Sequence, residues 1–370
     1  MNRLVIIGNG FDLAHGLKTR YEDFINWYWD DWGLRLLRGK GKIESDGLCS
    51  FTLKDNIDVS CWSYVWGYHY KRVNPLEVWD PYEIIKIAKE DNDLCEFKYI
   101  GHFLEIICQS ISTKKWVDIE NEYYNLLFQQ KLSQSGGIIM PDYKLINLQL
   151  DVLQMKLIRY LELESKKETV KIEEIKDKIY RPINEKEISV TYTSSVEKSL
   201  LKEKKPSAIM FLNFNYTKTP EQYVVDPSTV KVNYIHGKLD DPKSVIFGYG
   251  DESNSGFRML SFPDEKECLH HIKSIRYLES DNYRRLMEFV ESEPFQIIIM
   301  GHSCGNSDGT LLNTLFEHRN CISIKPYFYY NEEKKEDNYL ELVQNIRRNF
   351  TDMKLMRDRV VNKQYCEKLT

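Results

Sequence analysis

The chain has 370 residues, of which 42% are hydrophobic and 29% are charged, with a net charge of -5 and a pI near 6.0. A chain of this length and composition folds as a globular protein with a sizeable core. The acidic balance gives no electrostatic footprint for nucleic acid, so we expect no nucleic-acid partner. No apolar run is long enough for a signal peptide or a membrane span, which predicts a cytoplasmic protein without a membrane anchor.

The eight cysteines contain no C-x-x-C pair and no Cys/His grouping at zinc spacing. They therefore predict reduced, mostly packed thiols and no metal site. All seven tryptophans lie between Trp27 and Trp116. This bias predicts that the first third of the chain builds an aromatic-rich body of its own.

The chain begins with a predicted strand at residues 4–7, which runs into a glycine turn at residues 8–12. Capping-box spacing and apolar residues at helical intervals predict a helix from about 20 to 37. The stretch 40–80 is irregular and aromatic and carries no assignment. Amphipathic repeats then predict helices near 82–91, 95–112, 116–130 and 144–164.

Residues 165–205 are rich in Lys and Glu and predict an exposed connection with a candidate strand at 188–192. Further strands are predicted at 209–212, 230–235, 245–247, 295–300 and 322–329. The intervening helices are predicted at about 264–292, 310–318 and 339–350.

This alternation predicts an α/β protein with a doubly wound, mostly parallel sheet. The sheet domain is predicted to comprise residues 1–19 and 206–370, and residues 20–205 are predicted to form a helical, Trp-rich insertion or lid.

Four predicted strands end in polar or glycine turns: Gly8–Asp12, Asn213–Thr217, His236–Gly237 and Gly301–Asp308. In a doubly wound sheet such ends converge on one crevice, where ligands bind. Side chains alternate across a strand, so the amides of Asn213 and Asn215 should point the same way.

The motifs I-I-G-N-G-F-D-L-A-H-G-L, N-F-N-Y-T, I-H-G, I-F-G-Y-G-D and I-I-I-M-G-H-S-C-G-N-S-D resemble those of the bacterial AbiH family of phage-defence proteins. More distantly, their order is similar to that of sirtuin-like NAD-consuming defence domains, which implies a sirtuin-like sheet. The chain lacks the paired zinc cysteines of deacylating sirtuins, so protein deacylation is not expected.

The resemblance implies antiphage abortive infection through NAD hydrolysis, with Asn215 and His236 serving cleavage of the nicotinamide–ribose bond. NAD is then a substrate, and no metal is required. An imidazole can accept a proton from water at neutral pH, and an amide can hold ribose hydroxyls. The expected nucleotide-contacting residues are Gly8, Asn9, Gly10, Phe11, Asp12, Asn213, Gly301, His302, Ser303, Asn306 and Asp308. Backbone N–H groups of residues 8–11 and 305–310 would cradle phosphates.

Two other functions use the same motifs. Gly301–Gly305 matches the G-x-S-x-G elbow of serine hydrolases, which would make Ser303 a nucleophile. Only His318 lies downstream to complete a triad, and Cys304 shows no sign of activation. The third function is a nucleotide sensor without turnover, which would not need Asn215 and His236. We expect a small-molecule nucleotide partner and a phage-derived trigger, and the sequence leaves homo-oligomerisation open.

Overall fold

The computed structural model describes residues 1–60, 95–108, 116–128, 131–132, 138–139, 141–195, 205–250 and 265–370. The strands are β1 (Asn2–Ile7), β2 (Ile43–Ser45), β3 (Cys49–Leu53), β4 (Cys95–Tyr99), β5 (Lys131–Leu132), β6 (Ile138–Ile139), β7 (Ile209–Asn213), β8 (Val230–Tyr234), β9 (Phe295–Met300), β10 (Cys321–Tyr327), β11 (Tyr330–Asn331) and β12 (Glu336–Asp337). The helices are α1 (Asn9–Ala14), α2 (Tyr21–Leu37), α3 (Phe103–Cys108), α4 (Trp116–Phe128), α5 (Tyr143–Glu164), α6 (Glu173–Tyr180), α7 (Val190–Thr193), α8 (Glu265–Cys268), α9 (Lys273–Arg276), α10 (Asn282–Ser292), α11 (Gly309–Phe316), α12 (Tyr339–Arg348) and α13 (Met353–Arg359). Within this part of the chain, every helix is either too short or too polar to span a lipid bilayer.

The described chain divides into two compact units. The first, which we call the α/β unit, takes in Met1–Thr19, Leu161–Pro263 and His271–Thr370. The second takes in Arg20–Tyr160 and Asp264–His270.

The α/β unit is built on a five-stranded, fully parallel sheet in the order β10-β9-β1-β7-β8. Every residue of β1, β7 and β9 is buried, as expected for strands covered on both faces. One face packs against α10, α11 and α12 through residues such as Leu286, Leu312 and Ile346. The other packs against α6 through Ile175 and Ile179. The predicted α/β fold with a parallel sheet is confirmed.

In the second unit, α2 presents a row of buried aromatic side chains. Trp32 contacts Phe51 of β3 at 5.1 Å between ring centroids, and Phe51 contacts Phe97 of β4 at 5.0 Å. Strands β2, β3 and β4 form a small antiparallel sheet. Large rings bury much apolar area per residue, so this cluster accounts for part of the tryptophan bias.

Four sequence predictions need correction. The single helix predicted at about 264–292 is divided into α8, α9 and α10. The helix predicted over 95–112 is in fact β4 followed by α3, because Cys95–Tyr99 alternates at period two and pairs with β3. Residues 188–192 form no strand, since α7 begins at Val190 after a cap in which Ser189 accepts from the Tyr192 N–H. Residues 245–247 are buried but lie outside the sheet. The helix predicted near 82–91 falls outside the described residues.

Residues 165–195 are also less exposed than predicted, because a buried polar network fixes them to the sheet. Glu187 forms an ion pair with Lys325 of β10 at 2.7 Å and accepts a hydrogen bond from Gln296 of β9 at 2.9 Å. Arg3 of β1 donates to Gln296 and to the carbonyl oxygen of Arg181. A segment that reads as solvated therefore carries a buried charge that joins three strands.

Replacing Glu187 with alanine should lower the free energy of unfolding of the α/β unit by about 3–5 kcal/mol, because it leaves Lys325 charged and buried without this partner. Urea unfolding followed by circular dichroism measures the change. The matched control is Glu185→Ala, an exposed position on the same short 3-10 helix, which should change stability by less than about 0.5 kcal/mol. Equal effects of the two substitutions would show that the network does not stabilise the fold.

Candidate active site

The sheet places the predicted strand-end motifs at a topological switch point. Counted along the chain, its five strands lie in the order 3-2-1-4-5, so the direction in which successive strands are added reverses between β1 and β9, although all five strands run parallel. The loops after these two strands are in direct contact, since the Gly10 N–H donates to the Gly301 carbonyl at 2.8 Å. Ligands of open α/β sheets bind at this position.

Glycines are required where these loops meet. A Cβ at Gly8 would lie 2.6 Å from the Cα of His302, and one at Gly301 would lie 2.1 Å from the Phe11 nitrogen. Gly301 also adopts a φ of 74°, which side chains rarely allow. The glycine motifs therefore serve close packing of two backbones.

Close packing occupies several N–H groups that the sequence assigned to phosphates. The Gly8 N–H donates to the Met300 carbonyl, the Gly10 N–H to Gly301 and the Phe11 N–H to Gly8. Groups used in this way are not available to a ligand in this conformation. The phosphate cradle predicted at residues 8–11 therefore needs correction at these three positions.

A first polar group, the Asp12 cluster, consists of Asp12, Asn213, Asn215, Thr217 and Thr219. The Thr217 hydroxyl donates to Asp12 Oδ2 at 2.7 Å, and Asn213 Nδ2 donates to the Thr217 carbonyl at 3.0 Å. The Asn215 N–H donates to Asn213 Oδ1 at 3.1 Å. These bonds fix the chain after β7 against the first turn of α1.

Asp12 is the charged member of this cluster, and it is 1% exposed. Burial raises its pKa to about 6, although hydrogen bonds with Thr219, Thr217 and Asn215 oppose the shift. Its Oδ1 has no hydrogen-bond partner among the described residues. An ionised carboxylate in this position costs stability, which is typical of residues kept for function.

A second polar group, the Asp308 cluster, consists of Asp308, His236, Lys273 and His302. Asp308 Oδ1 lies 2.9 Å from Lys273 Nζ and 3.3 Å from His236 Nε2. Asp308 Oδ2 lies 3.6 Å from His302 Nε2. One carboxylate thus faces three basic side chains, all at most 8% exposed.

The hydrogen-bond partners define the protonation of the two imidazoles. An ionised carboxylate only accepts, so His236 Nε2 carries the proton that faces Asp308. Its Nδ1, which has no hydrogen-bond partner among the described residues, then holds the free lone pair. His302 Nδ1 accepts the Cys304 N–H at 3.0 Å, which leaves the proton on Nε2.

The electrostatics favour a neutral base beside an ionised acid. Burial and the charge of Lys273 lower the pKa of His236, and Asp308 only partly opposes them. Burial alone would raise the pKa of Asp308, but Lys273 and His236 outweigh it and hold that pKa well below its usual range. At neutral pH the arrangement is Asp308 and Lys273 ionised with His236 uncharged.

Asn215 and His236 make no direct contact with each other among the described residues, and their predicted placement on either side of one ribose stays a prediction. Asn215 Nδ2 donates to the Gly8 carbonyl at 3.0 Å, whereas His236 contacts Tyr277 and Asp308. The Phe214 ring packs against His236 at 5.1 Å and against His302 at 4.3 Å. The two clusters meet at Gly8, whose carbonyl binds Asn215 and whose Cα packs against His302.

The serine-hydrolase arrangement is absent from the described residues. Ser303 is exposed and follows the carboxyl end of β9, but no described histidine bonds its hydroxyl. His318 contacts Phe295 at the amino end of β9, five residue steps or roughly 17 Å along the strand. Cys304 is fully buried, which raises the pKa of its thiol and disfavours the reactive thiolate.

Sequence reasoning missed Lys273, Tyr277, Phe214, Thr217 and Thr219. Lys273 begins α9 inside a stretch that was predicted as one long helix, so its position gave no signal. Thr217 belongs to the N-F-N-Y-T motif and could have been added to the site on that ground. The ammonium of Lys273 lies 2.9 Å from Asp308 and competes with any metal ion there, so the cluster favours proton handling over metal binding.

Replacing Asp12 with asparagine should raise the free energy of unfolding at pH 8. A folded pKa of about 6 against an ordinary value of 3.8 costs on the order of 3 kcal/mol above pH 6, because ionisation favours the unfolded chain. The gain should shrink as the pH falls below 6, where the folded carboxyl takes up a proton. Urea unfolding at pH 8 and pH 5 measures it, with the exposed Asp241→Asn as control. A stability loss at pH 8 would contradict this assignment.

These loops lie within the match to a known family. The family model described as Bacteriophage abortive infection AbiH matches residues 4–330, which include both polar clusters. A search of curated proteins found no match. Because the model covers most of the chain, the protein belongs to the AbiH family of bacteriophage abortive infection proteins.

Proposed function

We propose that this AbiH protein acts in abortive infection by hydrolysing NAD, or a related nucleotide, at the nicotinamide–ribose bond. The observation that carries the proposal is the pairing of His236 with Asp308 at the carboxyl end of the sheet, 3.3 Å apart. A histidine that is neutral and oriented by a carboxylate of the loop after β9, beside the switch point, is suited to general-base catalysis.

The reaction needs little beyond such a base. As the N-glycosidic bond breaks, positive charge develops on the ribose while the cationic nicotinamide ring leaves as neutral nicotinamide. Water attacks the anomeric carbon and gives its proton to His236 Nδ1, and the products are ADP-ribose, nicotinamide and a proton. Asp308 stabilises the imidazolium that forms, because it lies against the opposite ring nitrogen.

The Asp12 cluster is the proposed site for the ribose. Asn215 uses Nδ2 to hold the Gly8 carbonyl, and its side-chain oxygen remains to accept from a ribose hydroxyl. Asp12 accepts the hydrogen bond of the Thr217 hydroxyl and so fixes the loop that carries Asn215. In the loop between β9 and α11, Ser303 is exposed and Asn306 is half-buried. Both residues precede the amino end of α11, and the amino end of a helix favours phosphate.

The alternative is a nucleotide sensor that binds at the same loops without turnover. The two functions differ in their need for a base. A sensor gains nothing from an imidazole with a free Nδ1 beside an ionised carboxylate, and for this reason we favour the enzyme.

Replacing His236 with glutamine should lower the rate of nicotinamide release by between about 100-fold and 10,000-fold, because the general base is lost. Purified protein is incubated with NAD, with and without a lysate of phage-infected cells, and nicotinamide is measured by chromatography. His102→Gln, whose side chain is 64% exposed in the second unit, is the matched control and should retain the wild-type rate.

Three outcomes decide between the functions. Undiminished release by His236→Gln and Asn215→Ala would exclude the proposed mechanism. Binding of NAD without any release, under either condition, would favour the sensor. If the protein neither binds NAD nor releases nicotinamide, NAD is excluded as its ligand. Only the family's role in abortive infection then remains.

A further inference from the structure

We propose that Lys273 is a positioning residue that holds Asp308 ionised and that, by offsetting the carboxylate's negative charge, keeps His236 uncharged, with Nδ1 free to accept a proton. The part played in catalysis rests on the proposed function. The effect on His236 does not, because it is a property of the unliganded protein.

The first step is the sharing of one oxygen atom. Lys273 Nζ and His236 Nε2 both approach Asp308 Oδ1, at 2.9 Å and 3.3 Å. Lys273 is 1% exposed and Asp308 8%, so solvent screens their attraction little. Two basic groups therefore share one carboxylate oxygen, and the shorter of the two contacts is that of the lysine ammonium.

The second step is the rigidity of Lys273. The backbone N–H of Lys273 donates to the Tyr249 carbonyl at 2.9 Å, and a Cβ added at Gly250 would lie 3.2 Å from the Cβ of Lys273. The backbone and the first part of the Lys273 side chain are thus held against residues 249–250, which places the ammonium on the side of Asp308. A charge held in this way acts as a constant field on its neighbours.

The third step concerns the other groups that face His236. Tyr277 lies 3.2 Å from Nε2 and stacks on the ring, and Phe214 contacts it edge to face. His302 approaches the other oxygen of Asp308. Burial, Lys273 and His302 lower the pKa of His236, and only Asp308 raises it.

These contacts give the direction of the Lys273 effect. Without the ammonium, Asp308 would need another cation, and His236 would take up a proton to become that partner. Protonation fills Nδ1 and removes the base. The pH below which His236 is charged should therefore rise when Lys273 loses its charge.

The experiment is a histidine-selective NMR titration of the unliganded protein, in which the His236 signal is assigned by its loss in His236→Gln. In the wild type, His236 should titrate below the ordinary histidine value of about 6.5. In Lys273→Met it should titrate at higher pH than in the wild type. Lys273→Arg retains the charge and should keep the low value, and the exposed Lys238→Met should change nothing.

Titration of wild-type His236 at or above the ordinary value would overturn the proposal, as would an unchanged value in Lys273→Met. If Lys273→Met does not fold, the wild-type titration and Lys273→Arg decide. If the enzyme turns over NAD, the acidic limb of its rate profile should move to higher pH in Lys273→Met and return in Lys273→Arg. Failure of NAD hydrolysis with the expected titrations would refute the proposed function and leave the role of Lys273 intact.

Discussion

The candidate site depends on the need to compensate one buried charge. Asp308 lies where three separate segments meet: the end of β8 with His236, the start of α9 with Lys273, and the loop after β9 with His302. Burying a carboxylate costs several kcal/mol unless partners offset it, so these segments are stable only when they converge. The same convergence produces a neutral imidazole with one nitrogen paired and the other available.

The glycine turns allow the loops that carry these side chains to come into contact. Because Gly8, Gly10 and Gly301 let two loops touch, His302 packs directly over the end of β1, and Asn215 can reach the Gly8 carbonyl. A side chain at these positions would separate the loops and with them the two polar clusters. The motifs that look like a phosphate cradle therefore bring catalytic-type side chains together, and part of their hydrogen-bonding capacity is consumed in doing so.

Much of the sheet could be predicted from the sequence because buried parallel strands are continuous apolar runs. The strands at 295–300 and 209–212 and the helix from 20 to 37 were recognisable on this ground or from caps and helical spacing. Predictions failed where context decides. Glu187 has the sequence context of a surface residue, and only the fold places Lys325 and Gln296 beside it. Lys273 lies in a stretch that the sequence predicts as one helix, and its role depends on the separation of α9 from α10. Both Asp308 and His236 belong to the site residues that the sequence predicts, but their pairing depends on strand order, which no local pattern encodes.

The central claim is that this site breaks an N-glycosidic bond with water activated by His236. The most direct measurement is turnover of NAD in water enriched in oxygen-18, in the presence of infected-cell lysate, with mass analysis of the products. The account predicts ADP-ribose that carries one labelled oxygen on its terminal ribose, together with unlabelled nicotinamide. A label on phosphate would contradict the account. So would a wild-type protein that forms no more labelled ADP-ribose than His236→Gln does.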